Sequence, residues 1–348
     1  MPDFPYINAR VRAMRSRLLT PAQIEDMLAL PSLAAFLQAL AATPYAVDLQ
    51  EAQVRYDGVR AVDAALAGNL QRTTRSILEF ADGAPRHLIT VLLLRWDLAN
   101  LQALVRGKHA GWPAERLVDA LLPAGTLSEL TLKEMAGHPN LTALAGTLEV
   151  VNHPLVMALV EGVAEYANTR DPLSIELRLT RAYAGYVLRQ SRGAEARALR
   201  EILRSELDAT NIKTALRLAS ARATAPGALS SEEERLRFFI SGGATVTEKL
   251  FLELSDERTQ ARAWRHLRVL GFPVKTLPED LVAFERELDV RMTDALAARY
   301  VMGDPLGLDI VIGYLAMKSG EVANLRLIAR GKFLGLAREA VRRELVRV

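Results

Sequence analysis

A short pattern recurs three times along this chain of 348 residues, at a nearly constant interval. Each copy has an acid, an Asn three residues later and an Arg six residues after the Asn. The members are Asp97, Asn100 and Arg106; Asp208, Asn211 and Arg217; and Glu321, Asn324 and Arg330. The acids are 111 and 113 residues apart, so the sequence predicts three similar units, each large enough to hold a small core.

A second pattern lies upstream of each copy of the first. It consists of an apolar residue, an acid and a Leu three residues after the acid, and its acids are Asp63, Glu176 and Glu285. They are 113 and 109 residues apart and precede the first-pattern acids by 34, 32 and 36 residues. Because both patterns recur three times at matching intervals, they predict units at residues 1–118, 119–231 and 232–348. A weaker echo links Met27 with Met135, and no third copy of it is assigned.

The units are predicted to be helical. Leu, Ala, Arg and Glu dominate, and apolar residues recur at spacings of three and four. Helix starts are predicted at Thr20-Pro21, Thr131, Asp171-Pro172, Ser231, Thr245 and Asp304-Pro305. The sequence therefore predicts an all-α fold of three similar domains. Such units either stack as an open solenoid or close into a pseudo-threefold funnel.

The acid and the Asn of the first pattern share one helix face, because they are three residues apart. In a structural interpretation the Asn amide fixes a helix crossing, while the acid and the Arg pair with neighbouring helices. In a functional interpretation the copies form three ligand sites. Two copies continue into Gly107-Lys108 and Gly331-Lys332, which are predicted to end their helices with a left-handed Gly. The second copy has Leu218-Ala219 in place of this Gly-Lys pair.

Signatures of covalent chemistry are missing from the sequence. The chain has no Cys, which excludes disulfides, iron–sulfur clusters and Cys-bound zinc. No two of its five His are four residues apart, and no phosphate-binding Gly-Lys-[Ser/Thr] loop or dinucleotide-binding glycine cluster is present. The sequence predicts no catalytic residues, no cofactor and no metal. An all-α enzyme would need a buried cluster of titratable residues.

The net charge is only +3, and a charge this small does not indicate nucleic-acid binding. The Arg residues are nevertheless concentrated near the two ends of the sequence. The clusters at the two ends comprise Arg10, Arg12, Arg15 and Arg17, and Arg338, Arg342 and Arg343. They form either solvated helix faces or docking surfaces for an acidic partner or an anionic membrane border. The apolar runs are too short to predict a transmembrane segment.

Four segments carry a resemblance to a known family. The opening Tyr6–Arg12, the block Leu92–Arg106, the segment Glu206–Leu218 and the stretch from Asp304 to Arg326 occur in the right order over essentially the whole chain. Together they resemble the C subunit of the vacuolar/archaeal-type (V/A-type) rotary ATPase, the counterpart of the d subunit of the eukaryotic V-ATPase. The second unit departs locally from this resemblance, since it lacks the Gly-Lys pair that the other two units have.

The resemblance implies both a fold and a role. Proteins of that family are all-α funnels of three domains that do no covalent chemistry. The central shaft, built by the D and F subunits, enters the wide mouth, and the narrow base rests on the proteolipid rotor ring. The resemblance thus implies a central-stalk socket on the cytoplasmic face of the membrane, which transmits torque for ATP-linked proton or sodium transport. The alternative is a helical-repeat adaptor for an unrelated protein partner.

Overall fold

The computed structural model describes residues 3–224, 229–269, 278 and 280–346. Over those residues the chain forms helices and no strands, which confirms the predicted all-α class. The first nine helices are α1 (Phe4–Arg15), α2 (Pro21–Ala29), α3 (Leu33–Leu40), α4 (Ala46–Gln53), α5 (Gly58–Phe80), α6 (Gly83–His109), α7 (Ala114–Ala120), α8 (Glu129–Gly137) and α9 (Leu141–Val150).

The second half of the chain continues in the same way. Its helices are α10 (Val156–Thr169), α11 (Pro172–Gln190), α12 (Arg197–Thr224), α13 (Glu232–Leu236), α14 (Glu248–Leu254), α15 (Glu257–Val269), α16 (Leu281–Met302), α17 (Asp309–Phe333) and α18 (Arg338–Glu344). The first pattern falls on the long helices α6, α12 and α17. The second pattern falls on α5, α11 and α16.

Some of the predicted helix starts are confirmed and others are displaced. Thr20 and Ser231 form complete capping boxes, and the Asp171 side chain caps α11. Thr131, by contrast, lies inside α8, and the start predicted at Thr245 is two residues early; the true caps are Ser128 and Thr247. The start predicted at Asp304-Pro305 is a turn ahead of α17. The capping-box spacing also occurs within helices, where it joins residues on one face.

The long helices pack in an order that repeats around the molecule. Helix α6 packs against α11, α12 against α16, and α17 against α5. Each first-pattern helix therefore contacts the second-pattern helix of the next predicted unit, and the third contacts that of the first. Helix α1 packs across both α17 and α5.

Among the described residues, three hydrophobic clusters follow this pairing. Leu325 and Ile328 of α17 lie in one cluster with Phe36 of α3 and Leu66 of α5. Ile212 of α12 lies in another with residues of α14 and α15, and the largest includes α6 and α8–α11. Each long first-pattern helix thus shares a cluster with helices of the next predicted unit, in cyclic order. The boundaries at 118/119 and 231/232 stay predictions.

One helix in the described part of the chain is long and apolar enough to cross a membrane by length and composition. It is α6, with 27 residues, and 61% of its apolar window is buried inside the fold. Its buried face packs against α11 and contributes to the largest cluster. Burial on this scale is what a core helix of a multi-helix domain shows.

Candidate functional site

The three Asn residues of the first pattern are buried and hold equivalent segments of backbone. Each side-chain amide donates to a carbonyl and accepts from the N–H of the same residue. The pairs are Asn100 with Leu122 (2.7 and 2.8 Å), Asn211 with Ile240 (2.8 and 3.0 Å) and Asn324 with Val346 (2.8 and 2.8 Å). The Asn therefore fixes a connecting segment and not a crossing between helix side chains, because its partners lie outside the helices.

The acid of each copy accepts backbone N–H groups from a segment that leads into a short helix. Asp97 accepts from Thr126 and Leu127, Asp208 from Ala244, Thr245 and Val246, and Glu321 from Leu19. Leu127, Val246 and Leu19 each stand immediately before the N-cap of a short helix, namely α8, α14 and α2. Glu321 thus binds the residue before the N-cap of α2, the first short helix of the chain, just as Asp97 and Asp208 do for α8 and α14.

The Arg residues pair with the acids of the second pattern in cyclic order. Arg106 binds Glu176 at 2.9 Å, Arg217 binds Glu285 at 2.6 Å and Arg330 binds Asp63 at 3.0 Å. Each Arg side chain is more than half exposed, whereas the acids are 15–18% exposed. Burial raises the pKa of Glu176 more than Arg106 lowers it. The sequence shows that the two patterns recur at matching intervals, and the structure shows that the Arg of one pattern binds the acid of the other.

Cations also cap the short helices from the neighbouring unit. Lys108 donates to the carbonyls of Ala136 and His138 at the end of α8, and Lys332 to those of Leu28 and Leu30 at the end of α2. In the second copy Arg222 donates to the Ser255 carbonyl at the end of α14. Each cation meets the negative end of a helix dipole. Arg222 thereby replaces the Lys missing at Ala219.

The predicted helix stops at Gly107 and Gly331 are wrong. Both residues lie inside their helices, and the left-handed glycines that follow the helix ends are Gly111 (φ 68°) and Gly335 (φ 65°). A Cβ at Gly107 would overlap Leu117, and one at Gly331 would overlap Val341. These glycines are therefore needed for close packing, because α7 and α18 approach the long helices there.

We call the contacts that one first-pattern helix makes through its Asn, acid and Arg a junction, and we number the three junctions in chain order. The third junction, made by α17, contains a buried polar cluster that the sequence patterns did not reveal. Tyr45 donates to Glu321 at 2.6 Å, and Lys318 donates to Tyr45 at 2.7 Å and to Glu321 at 2.9 Å. Burial lowers the pKa of Lys318, and burial beside Glu321 raises the pKa of Tyr45. The charges satisfy one another, as a buried ion pair requires. The cluster clamps α17 to the segment before α4.

The seven Arg residues predicted as possible docking surfaces differ in the contacts that they make within the chain. Arg10 stacks on Phe80 and Arg15 on Tyr300, at 4.4 and 4.8 Å from the ring centres. Arg338 and Arg342 both pair with Glu25 of α2, which lowers the pKa of Glu25. Of the remaining three, Arg343 bonds the Glu339 carbonyl, while Arg12 and Arg17 are exposed. The C-terminal cluster therefore serves first to hold α18 on α2.

Among the described residues, no group of three or more His, Asp or Glu side chains is arranged to hold a metal ion. The chain matches the profile of the ATP synthase (C/AC39) subunit family over residues 7–344. It belongs to that family. This membership confirms the resemblance carried by the four ordered segments.

Named relatives agree with the assignment to the C/AC39 family. The chain is 32% identical to the C subunit of the V-type ATP synthase of Deinococcus radiodurans, over 99% of this chain and 92% of that protein. It is 33% identical to the protein of the same name from Thermus thermophilus, over 99% and 98%. It is 29% identical to the C subunit of the A-type ATP synthase of Archaeoglobus fulgidus, over 98% and 95%.

Proposed function

We propose that this member of the C/AC39 family is a non-catalytic central-stalk socket that couples a rotor shaft to a membrane rotor ring. The observation that carries the proposal is the cyclic order of the Arg–acid pairs, in which Arg330 returns to Asp63. The full-length relatives, which are named as C subunits of ATP synthases, supply the machine in which such a socket would act. An unrelated helical adaptor is not favoured by either observation.

A part that transmits torque must resist both opening and shear. An open solenoid would leave the last long helix with one unpaired face. Here α17 instead packs against α5, α2 and α3. Each junction combines an Asn bonded twice to backbone, an acid that accepts backbone N–H groups, an Arg–acid pair and a cation on a helix end. Interior packing density makes such junctions stiff, which favours a closed funnel over a solenoid.

The partners we propose are the D and F subunits of the shaft at one end and the proteolipid ring at the other. The chain would then be peripheral on the cytoplasmic face of the membrane. The exposed Arg12 and Arg17 are the terminal cations best placed to meet an acidic partner, because the paired Arg338 and Arg342 are committed to Glu25. Such charges would speed docking more than they would tighten it.

The test is to mix the purified chain with a D–F shaft and to follow both by gel filtration at low and at high salt. We expect a single earlier peak that contains all three proteins at low salt, weakened at high salt because exposed charge pairs are screened. The chain alone and the shaft alone are the controls. Separate elution at low salt, with both components folded by circular dichroism, would count against the socket.

A further inference from the structure

The first two junctions share a further contact between their long helices. At the first, Gln102 of α6 donates to the Thr180 hydroxyl of α11 at 3.0 Å. At the second, Lys213 of α12 donates to the Asp289 carboxylate of α16 at 2.7 Å. In both cases the residue two positions after the Asn binds the residue four positions after the second-pattern acid. This side-chain pair is therefore a further element of the repeat.

At the third junction the same two positions hold Arg326 and Ala67. Alanine has no hydrogen-bonding side chain, so the guanidinium lacks the partner that its counterparts have. Arg326 donates instead to the Asp63 carbonyl at 3.3 Å. Its Nε lies 3.3 Å from Asp63 Oδ1, but neither of these two buried atoms has a hydrogen-bond partner among the described residues. Burial lowers the pKa of Arg326, and Asp63 offsets this only in part.

A cavity of about 440 Å³ lies beside this incomplete contact, with walls from α4, α5, α7, α8 and α17. Ala67 and Arg326 both line it. The Gln71 side chain lines it as well and is only 8% exposed, and its amide makes no hydrogen bond to the described residues. Two largely buried donors that lack partners therefore line one space, next to the position where the third junction has no partner side chain.

The charges around the cavity favour a singly charged anion. Each of the carboxylates that line it is bound to a cation: Asp48 and Glu51 to Arg72, Asp63 to Arg326 and Arg330, Asp119 to Arg60, and Glu129 to Lys133. Arg55 also lines the cavity, is exposed and pairs with no acid among the described residues. With Arg55, six cations stand against five carboxylates, so the surroundings carry one net positive charge.

The rest of the wall is mostly apolar. Apolar surface comes from Val54, Val118, Leu121, Pro123 and Leu132. Such walls favour a ligand with an apolar body, which a few polar groups then orient. A carboxylate suits Arg326 because its two oxygens match the fork of a guanidinium. It also has the single charge that the surroundings balance, whereas a phosphate dianion has two.

We propose that this cavity is a binding site for a small organic carboxylate with an apolar body. The carboxylate takes the place of the side chain missing at Ala67 and binds Arg326, with Gln71 as a second donor. The ligand then joins α17 to α5, as Thr180 joins α11 to α6 and Asp289 joins α16 to α12. Bound ligand thereby stabilises the third junction. The proposal stands without the socket role, since it rests on the comparison of the three junctions.

Sodium hexanoate tests the proposal, because it combines one carboxylate with a short apolar chain. Isothermal titration calorimetry of the full chain measures its binding. The controls are 1-hexanol, which has the same chain without the charge, and inorganic phosphate, which has charge without an apolar body. We expect saturable binding of hexanoate with a Kd on the order of 1 mM, as suits a ligand of this size. Both controls should bind at least about tenfold more weakly, because each lacks one of the two contacts.

Two variants locate the binding at Arg326. Ala67→Asp supplies the carboxylate that the second junction has, and Arg326→Gln supplies the amide that the first junction has. We expect each to weaken hexanoate binding at least about tenfold, because a charge-assisted hydrogen bond to the ligand is lost, with the fold intact by circular dichroism. Ala34→Asp adds the same charge on an exposed part of α3 outside the cavity and should leave binding unchanged.

Several outcomes would overturn the proposal. Hexanoate might not bind up to roughly 10 mM, or 1-hexanol could bind as tightly, which would make the cavity an apolar site only. Binding of phosphate without binding of hexanoate would assign the cavity to another class of anion. If either Ala67→Asp or Arg326→Gln bound hexanoate as the wild type does, the ligand would lie elsewhere. None of these measurements involves the shaft or the ring, so a failure here leaves the socket proposal to its own test.

Discussion

At the scale of single residues, the repeat pattern identified the buried Asn and acid side chains but not what they bind. Asn100 and Asp97 bind backbone groups of residues 122–127, and backbone groups carry no side-chain signature in a sequence. Tyr45 and Lys318 were missed for another reason. They occur only at the third junction, so a search for threefold repetition passes over them.

Replacing Gly125 and Gly243, which lie beside Asp97 and Asp208 in the segments that these acids hold, tests how tightly the acids hold the backbone. Gly125→Ala and Gly243→Ala each bring a methyl group into a buried carboxylate, so we expect each to lower the free energy of unfolding by about 2–4 kcal/mol. Gly146→Ala is the matched control. It lies on the exposed face of α9 with open space around its Cβ, and it should stabilise by up to ~1 kcal/mol.

Urea denaturation of the three variants measures these changes. Equal small effects at Gly125 and Gly146 would show that the segment around Gly125 can move away from Asp97, which would contradict a tight junction.

At the scale of helices, the short helices α2, α8 and α14 are equivalent elements. Met27, Met135 and Leu254 are all buried, and each stands seven residues after its N-cap. Leu254 is thus the third copy of the echo. In the first two copies a Pro stands four residues after the Met (Pro31 and Pro139). A search for that pair could not find Leu254, because α15 begins only three residues after α14 ends.

The contact between α18 and α2 should respond to acid. Arg342 and Arg338 hold the pKa of Glu25 below its ordinary value of 4.5, so the pair contributes fully above pH 4.5 and is lost as the pH falls through the lowered value. Glu25→Gln should therefore flatten the dependence of unfolding free energy on pH below about 4.5, by less than ~1 kcal/mol because the pair is exposed.

Glu339→Gln is the control for this prediction, because it removes one exposed carboxylate of α18 that pairs with neither α2 nor Glu25. Denaturation from about pH 3 to about pH 7, the range in which carboxylates titrate, would compare the variants. A slope for Glu25→Gln equal to that of the wild type would mean that the pair does not couple α18 to α2.

At the scale of the whole molecule, the third junction joins regions of the chain that are far apart in sequence. The regular phase of the patterns predicted three units, and left both an open solenoid and a closed funnel possible. The structure adds that α17 packs with α2, α3 and α5. Spacing alone could not show these contacts, because an open and a closed array have the same internal period.

Loosening the third junction should therefore affect both ends of the chain. Asn324→Ala removes two hydrogen bonds to Val346 and should cost about 2–4 kcal/mol. We expect faster amide hydrogen exchange in α18 and also in α2, which packs on it. Asn211→Ala, the equivalent change at the second junction, should raise exchange near Ile240 and leave α2 unchanged. Faster exchange confined to α18 would contradict the coupling of α18 to α2.

The coupling role is tested most directly in vesicles that contain the complete ATP synthase, assembled with or without this chain. ATP hydrolysis and ion pumping are measured in the same preparation. The proposed socket predicts that hydrolysis continues without the chain while pumping stops, and that adding the purified chain restores pumping. Pumping at the full rate without the chain would contradict the proposal.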